Sequence, residues 1–226
     1  MKSKIALFAL TLVPFFGFSQ TTFEYGGRIG ASFSSFSYDY SSLSGNIGLV
    51  AGGMANYNIN SAMQLVGNLD YHQLRGNLQS YTLAGSNVLV RTNTLTLNTA
   101  ELSALFAYRL PLPFLGTASP KIMGGGSVAY NFYTLNNKVT TIGGYQISAS
   151  SSDEVTSSFE NFLYAAQAGL QFEFLLDEGS FSAVIFDIRY RRNINALTSG
   201  LSVYGTGSPS DIYSNSLIMT FGLIIN

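Results

Sequence analysis

The chain has 226 residues, 46% hydrophobic and only 10% charged, with a mean hydropathy of +0.23. Soluble domains carry about 25% charged residues, so something other than water covers much of this surface. The formal net charge of -1 gives no electrostatic reason to expect nucleic acid, and the absence of cysteine excludes a disulfide framework, a thiolate metal site and a lipid-bearing cysteine.

The first twenty residues read MKSKIALFALTLVPFFGFSQ. Lys2 and Lys4 precede an apolar run from Ile5 to Phe18, with the small residues Gly17 and Ser19 ahead of Gln20. This pattern predicts a cleaved secretory signal over residues 1–19, leaving a single domain over 20–226. The run is too short for a membrane-spanning helix, and Pro14 interrupts it. No other segment approaches that length, so any membrane embedding of the mature chain uses strands.

Strands follow one another through the rest of the chain. Phe23, Tyr25, Ile29, Ala31 and Phe33 alternate with Glu24, Arg28, Ser32 and Ser34, the period of two that marks a strand with one polar face. Ile47 to Tyr57 repeats the pattern with Gly48, Gly52 and Asn56 on the polar side. The tetrapeptide Asn58–Ser61 leads into a third strand, Met63 to Leu74, which carries Leu65, Leu69 and Tyr71 on one face and Gln64, Asn68, Asp70 and His72 on the other. Arg75 to Asn93 reads as a long connection, within which VLVRTNTLTL looks extended and prolongs the fourth strand beyond the membrane.

That fourth strand is clearest at Leu102, Ala104, Phe106, Tyr108 and Leu110, with Glu101, Ser103 and Arg109 between them. Leu95 and Leu97 have the opposite parity, which predicts a bulge near Asn98 to Ala100. Pro111, Pro113 and Pro120 bound a compact turn and argue against a central strand there. The fifth strand sets Ile122, Val128, Tyr130 and Phe132 against Lys121, Ser127 and Asn131, and Leu135 to Ser157 reads as a long polar loop.

Two runs then alternate for more than ten residues each: Phe162, Tyr164, Leu170, Phe172 and Phe174 against Gln167, Gln171 and Glu173, and Val184, Phe186, Ile188 and Tyr190 against Asp187, Arg189 and Arg191. Strands of soluble sandwiches average about five or six residues. Both runs keep their apolar face on even numbers, so opposed residues sum to an even number and the loop holds an odd count. A three-residue loop, Asp177-Glu178-Gly179, fits and predicts that Phe172 faces Val184 and Leu170 faces Phe186. After a further polar loop the last strand presents Leu217, Met219, Phe221, Leu223 and Ile225 on one face.

Eight strands joined by alternating short and long connections predict an all-β fold, an eight-stranded antiparallel up-and-down transmembrane β-barrel. A soluble lipocalin-type barrel would show the reverse, apolar inside and polar outside. The signal peptide, TLNTAELSALFAYRLPL, the YAAQAGLQFEF and FDIRYR hairpin and SNSLIMTFGLIIN together resemble the outer-membrane β-barrel family labelled porin-family or PorT-like, similar in architecture to OmpA and OmpX barrels. The resemblance implies the outer membrane of a Gram-negative bacterium, contact with outer-membrane lipid, and insertion by the barrel-assembly machinery, which reads an aromatic in the last strand. Phe221 supplies that aromatic, although the chain ends in Asn226 instead of the commoner terminal Phe.

The polar face predicts a luminal network of Glu24, Arg28, Asp70, His72, Glu101, Arg109, Lys121, Glu173, Asp187, Arg189 and Arg191, five acids and five bases beside one histidine. Buried charges are tolerated when paired. His72 is the sole histidine and shares a face with Asp70, an arrangement that suggests a base and its orienting acid. Some barrels of this architecture are lipid-modifying enzymes with a Ser/His/acid site, but those sites face lipid, whereas parity turns His72 inward. The reading is therefore non-enzymatic, with no cofactor and no metal. Its role is structural or the presentation of long extracellular loops to a partner; the alternatives are a barrel enzyme acting on outer-membrane lipid and a small channel.

Overall fold

The computed structural model describes residues 23–38, 41–42, 45–84, 87–111, 118–142, 145–146, 151–176, 181–202 and 209–225. The expected signal peptide lies outside the described residues. Eight long strands form the wall: β1 (Phe23–Tyr38), β3 (Asn46–Asn58), β4 (Met63–Ala84), β5 (Asn87–Arg109), β6 (Ala118–Ile142), β9 (Phe162–Leu175), β10 (Phe181–Asn193) and β12 (Pro209–Ile225). Each pairs antiparallel with the next, and β12 returns to β1 from Tyr25–Ile225 to Ser37–Tyr213, so the sheet closes on itself. Four short strands decorate one rim: β2 (Ser41–Ser42), β7 (Tyr145–Gln146), β8 (Ser151–Glu154) and β11 (Thr198–Ser202).

Alternation sorts the side chains by face. Ile29, Leu69, Leu102 and Phe221 point outward and are exposed, while Asp70, Glu101, Lys121 and Arg189 point inward and are buried. Aromatic residues gather in two outer bands. Tyr71, Tyr130, Phe132, Phe162 and Tyr164 lie toward the rim of the long connections, with ring pairs Tyr71–Phe132 and Tyr130–Phe162; Phe23, Tyr25, Tyr108 and Phe174 lie toward the other rim. On β9 the bands are marked by Phe162 and Phe174. Their separation is roughly 40 Å of strand at about 3.3 Å per residue, or about 30 Å along the membrane normal at a tilt of about 40°. This matches the bilayer.

Several sequence expectations shift. The third strand continues ten residues past Leu74, and β4, β5 and β6 run on together as a sheet that projects from the rim. The residues read as the long connections 75–93 and 135–157 are therefore largely paired, because a ladder outside the bilayer does not need the apolar stripe that parity reads. Ser151–Glu154, expected as solvated loop, adds to the edge of β6, with the Lys138 Nζ 2.7 Å from Asp153 Oδ2.

The bulge falls where parity placed it, between the Asn98–Tyr133 and Thr99–Asn131 pairs, but the extra residue is Phe132 on β6. The β4–β5 register is unbroken, so Leu95 and Leu97 keep the inward parity of Glu101 and are buried inside. Pro120 lies within β6 instead of bounding a turn. It sits near the strand's beginning opposite Phe172, and its carbonyl accepts from the Leu110 amide at 2.8 Å. The β9–β10 pairing keeps the expected parity but slides by two: Phe172 faces Phe186 and Leu170 faces Ile188. The Leu176 amide donates to the Ser182 carbonyl at 2.9 Å, which closes a connection wider than three residues. The predicted loop residues themselves lie outside the described residues.

Candidate functional site

The lumen is built in layers because each strand contributes alternate residues to it. Nearest the short-turn rim is a polar mouth. Lys121 donates to Gln64 at 2.8 Å and pairs with Glu173; Gln64 donates to Asn58 at 2.8 Å, and Asn58 to Glu24 at 2.8 Å. Glu24 is half-buried. Arg109 stands at the edge of this group, its side chain 43% exposed and 3.9 Å from Glu173. Two small apolar clusters, Met54 with Ala183, Ile185 and Ile224, and Val66 with Leu105, Ala107 and Met123, adjoin the mouth, Ile185 opposite Glu173 and Ala107 opposite Gln64.

The central layer is a continuous charged network. Arg28 grips Asp70 through two nitrogens, one of them 2.9 Å from Oδ1, and reaches Asp187 at 3.4 Å. Arg189 donates to Asp187 at 2.9 Å and to Gln167 at 3.1 Å. Gln167 donates to Glu101 at 2.5 Å, and Arg191 Nε spans the same carboxylate at 3.0 and 3.2 Å. Three guanidinium groups thus meet three carboxylates, all buried. Each charge has an opposite partner, which is the condition for holding ions out of water. Glycines make room here, since a Cβ on Gly52 would collide with the Leu69 carbonyl and the Asp70 carboxylate, and one on Gly222 would collide with the Met54 side chain.

His72 does not pair with Asp70, which Arg28 occupies. Its Nδ1 is 2.9 Å from Glu101 Oε2 on the neighbouring strand, and its Nε2 is 2.9 Å from Ser32 Oγ on β1, reached over the intervening β3. A neutral imidazole donating to the carboxylate leaves Nε2 free to accept from the hydroxyl. Ser32 continues to Ser34 at 2.9 Å and Ser34 to Ser216 at 3.0 Å. The order hydroxyl, imidazole, carboxylate is that of a nucleophile, a base and its orienting acid. However, Ser32 is 0% exposed. Among the described residues there is no cluster of His, Asp and Glu able to hold a metal ion.

Above the network lies an apolar cap that the sequence reading missed: Phe36, Leu74, Leu95, Leu97, Ala129, Phe159, Leu163, Leu197 and Ile212. On β1 and β4 the cap residue comes one pleat after a polar one, as with Ser34 and Phe36 or His72 and Leu74. The odd parity of Leu95 and Leu97 was the available signal.

A closed antiparallel barrel with an apolar outer belt, two aromatic bands and a polar, filled interior is a transmembrane outer-membrane barrel. The chain matches the family described as outer membrane protein beta-barrel domain over residues 18–199, and it belongs to that family. It is a protein of the Gram-negative outer membrane and lies in its lipid bilayer. Among solved structures it is similar to Ail, the attachment invasion locus protein of Yersinia pestis, at 13% identity and a TM-score of 0.41, covering 89% of this chain and 98% of that one. It is also similar to Neisserial surface protein A at 15% identity and 0.37, covering 91% and 99%, and to OprG of Pseudomonas aeruginosa at 10% and 0.41, covering 90% and 95%. No curated protein matches.

Proposed function

We propose that this protein is a sealed, non-enzymatic barrel that presents its projecting sheet to a partner outside the cell. The observation that carries the reading is the free edge of β4. Its pairing with β3 runs only from Val50–His72 to Asn58–Gln64, with an isolated bridge at Gly45–Gly76, whereas its pairing with β5 continues to Ala84–Asn87. From Asn77 to Ala84 one side of β4 has no described neighbour strand. An unpaired edge is a row of backbone donors and acceptors that an extended segment completes. The long connections at this rim support an extracellular position for it.

The test replaces residues 79–92 with a two-residue turn. Their cross-strand pairs lie beyond the ring, so the barrel should still insert and still migrate as a folded form before heating. Cross-links to surface partners on intact cells should disappear. Unchanged cross-links would sink the reading. Export by a signal over residues 1–19 and insertion by the barrel-assembly machinery belong to the same proposal, and N-terminal sequencing of the outer-membrane form should begin at Gln20.

The alignment of Ser32, His72 and Glu101 favours a second reading, acyl transfer on a lipid. Incubation with a fluorophosphonate probe separates the two. The burial of Ser32 predicts no labelling, and labelling abolished by Ser32→Ala would put the enzyme reading first.

A further inference from the structure

The outer wall carries a concave stretch among the described residues. Across the seam where β1 meets β12, a groove of about 680 Å³ has a floor of Gly27, Ala51 and Gly52 and walls of Phe181, Phe221 and Leu223. The register explains it: Gly27 lies between Gly53 on β3 and Leu223 on β12, so the floor is nearly bare backbone beside tall side chains. Packing within the barrel does not demand this. A Cβ on Gly27 would meet only the Gly52 carbonyl at 3.9 Å, and one on Gly53 only the Gly26 carbonyl at 3.8 Å, ordinary contacts, whereas one on inward-facing Gly26 would collide with the Leu223 carbonyl.

We infer that this groove seats one acyl chain of a phospholipid from the periplasmic leaflet, held over the closure seam of the barrel. The groove is continuous with the lipid-facing belt, so a hydrocarbon occupant is the one the surroundings supply. Phe181 and Ile225 place it at the short-turn rim, the periplasmic side. Its volume falls within the roughly 300 to 1,000 Å³ of specific small-molecule sites. In a bilayer there is no hydrophobic drive toward protein, and selection rests on dispersion contacts. A convex wall touches a chain on one side; a backbone floor with Phe181, Phe221 and Leu223 rising along its β10–β12 flank touches it on two.

The full-length protein, folded into vesicles containing a phosphatidylethanolamine with a diazirine on its acyl chain, is irradiated and the adducts are mapped. Adducts should concentrate on β1, β10 and β12. Gly27→Leu, which fills the floor, should lose most of that label. Gly126→Leu, on the far wall and with only ordinary contact to the Ala165 carbonyl, should keep it. A heat-dependent shift in gel mobility establishes folding for each variant, and Gly53→Leu serves if Gly27→Leu does not fold. Even labelling around the barrel, or unchanged labelling in Gly27→Leu, would overturn the inference. So would preferential labelling by a lipid A acyl probe, or a detergent-stable dimer that Gly27→Leu dissociates, which would make the occupant a second copy.

Discussion

Arg191 and Glu101 stand on strands separated by two others in the wall, β6 and β9, yet the Arg191 Nε lies 3.0 Å from the Glu101 carboxylate. The contact therefore crosses the lumen. Glu101 also holds His72 and receives Gln167, so one carboxylate ties four strands together. Removing one partner of such a buried pair leaves a charge without compensation, at a cost of about 3–5 kcal/mol. Glu101→Gln should destabilise the folded barrel by that order in urea titrations from lipid vesicles. Arg191→Met added to it should recover part of the loss, giving a coupling of about 0.5–3 kcal/mol. Strict additivity of the two changes would mean that the pair does not act as a unit.

The cap makes a size prediction. Phe36 is fully buried, and its ring lies where a side chain on Gly76 would have to go. Overpacking a close-packed interior costs typically 1–3 kcal/mol. Gly76→Ala should lower stability by that order, and a second change, Phe36→Leu, should relieve it. Melting followed by the heat-dependent gel shift measures both. If the double variant is as unstable as the sum of the singles, the ring is not the obstacle.

Sequence parity carried most of this fold, because each strand that crosses lipid must show one apolar and one polar face. It located all eight wall strands and turned Asp70, Glu101, Lys121 and Arg189 inward. It failed where a physical boundary removes that constraint. Beyond the bilayer neither face of a strand has to be apolar, so β4 from Arg75 to Ala84 carried no alternation to read. Inside the cap the inward face turns apolar while Thr94, Thr96 and Asn98 face out, so Leu95 and Leu97 reversed the apparent parity of the strand at the level where β6 carries the bulge. Partners across the lumen were the least legible. His72 shares a face with Asp70 in the sequence, but Arg28 on β1 claims Asp70, and it is the pairing of β4 with β5 and, through β3, with β1 that brings Glu101 and Ser32 to the imidazole.

The lipid belt predicts a depth-dependent penalty. Leu69 is 62% exposed on the outer face, between the two aromatic bands and opposite Leu102. An arginine at such a site in a membrane barrel costs about 2–4 kcal/mol near the midplane and much less near the interfaces. Leu69→Arg should reduce folding into vesicles by that order, whereas Tyr108→Arg, at the periplasmic band, should have a small effect. Equal effects at both positions would argue that the outer surface is not in hydrocarbon.

The last prediction concerns conduction. Eight strands enclose an interior just wide enough for side chains. Here Arg189, Arg191, Phe36 and Lys121 are among the largest fully buried side chains, and the cap lies over the charged layer. An ion entering from outside would have to pass a dry apolar layer and then displace paired charges, each step unfavourable without water. The protein reconstituted in a planar bilayer should show no large, steady conductance. Opening the cap alone, with Leu97→Ser, should not create one, because the guanidinium layer beneath still blocks the path. Shortening Arg189 together with the cap change should admit water and produce small, irregular currents. A steady conductance in the unaltered protein, with ion selectivity that changes on shortening Arg109 or Arg189, would instead place a channel function ahead of the sealed barrel.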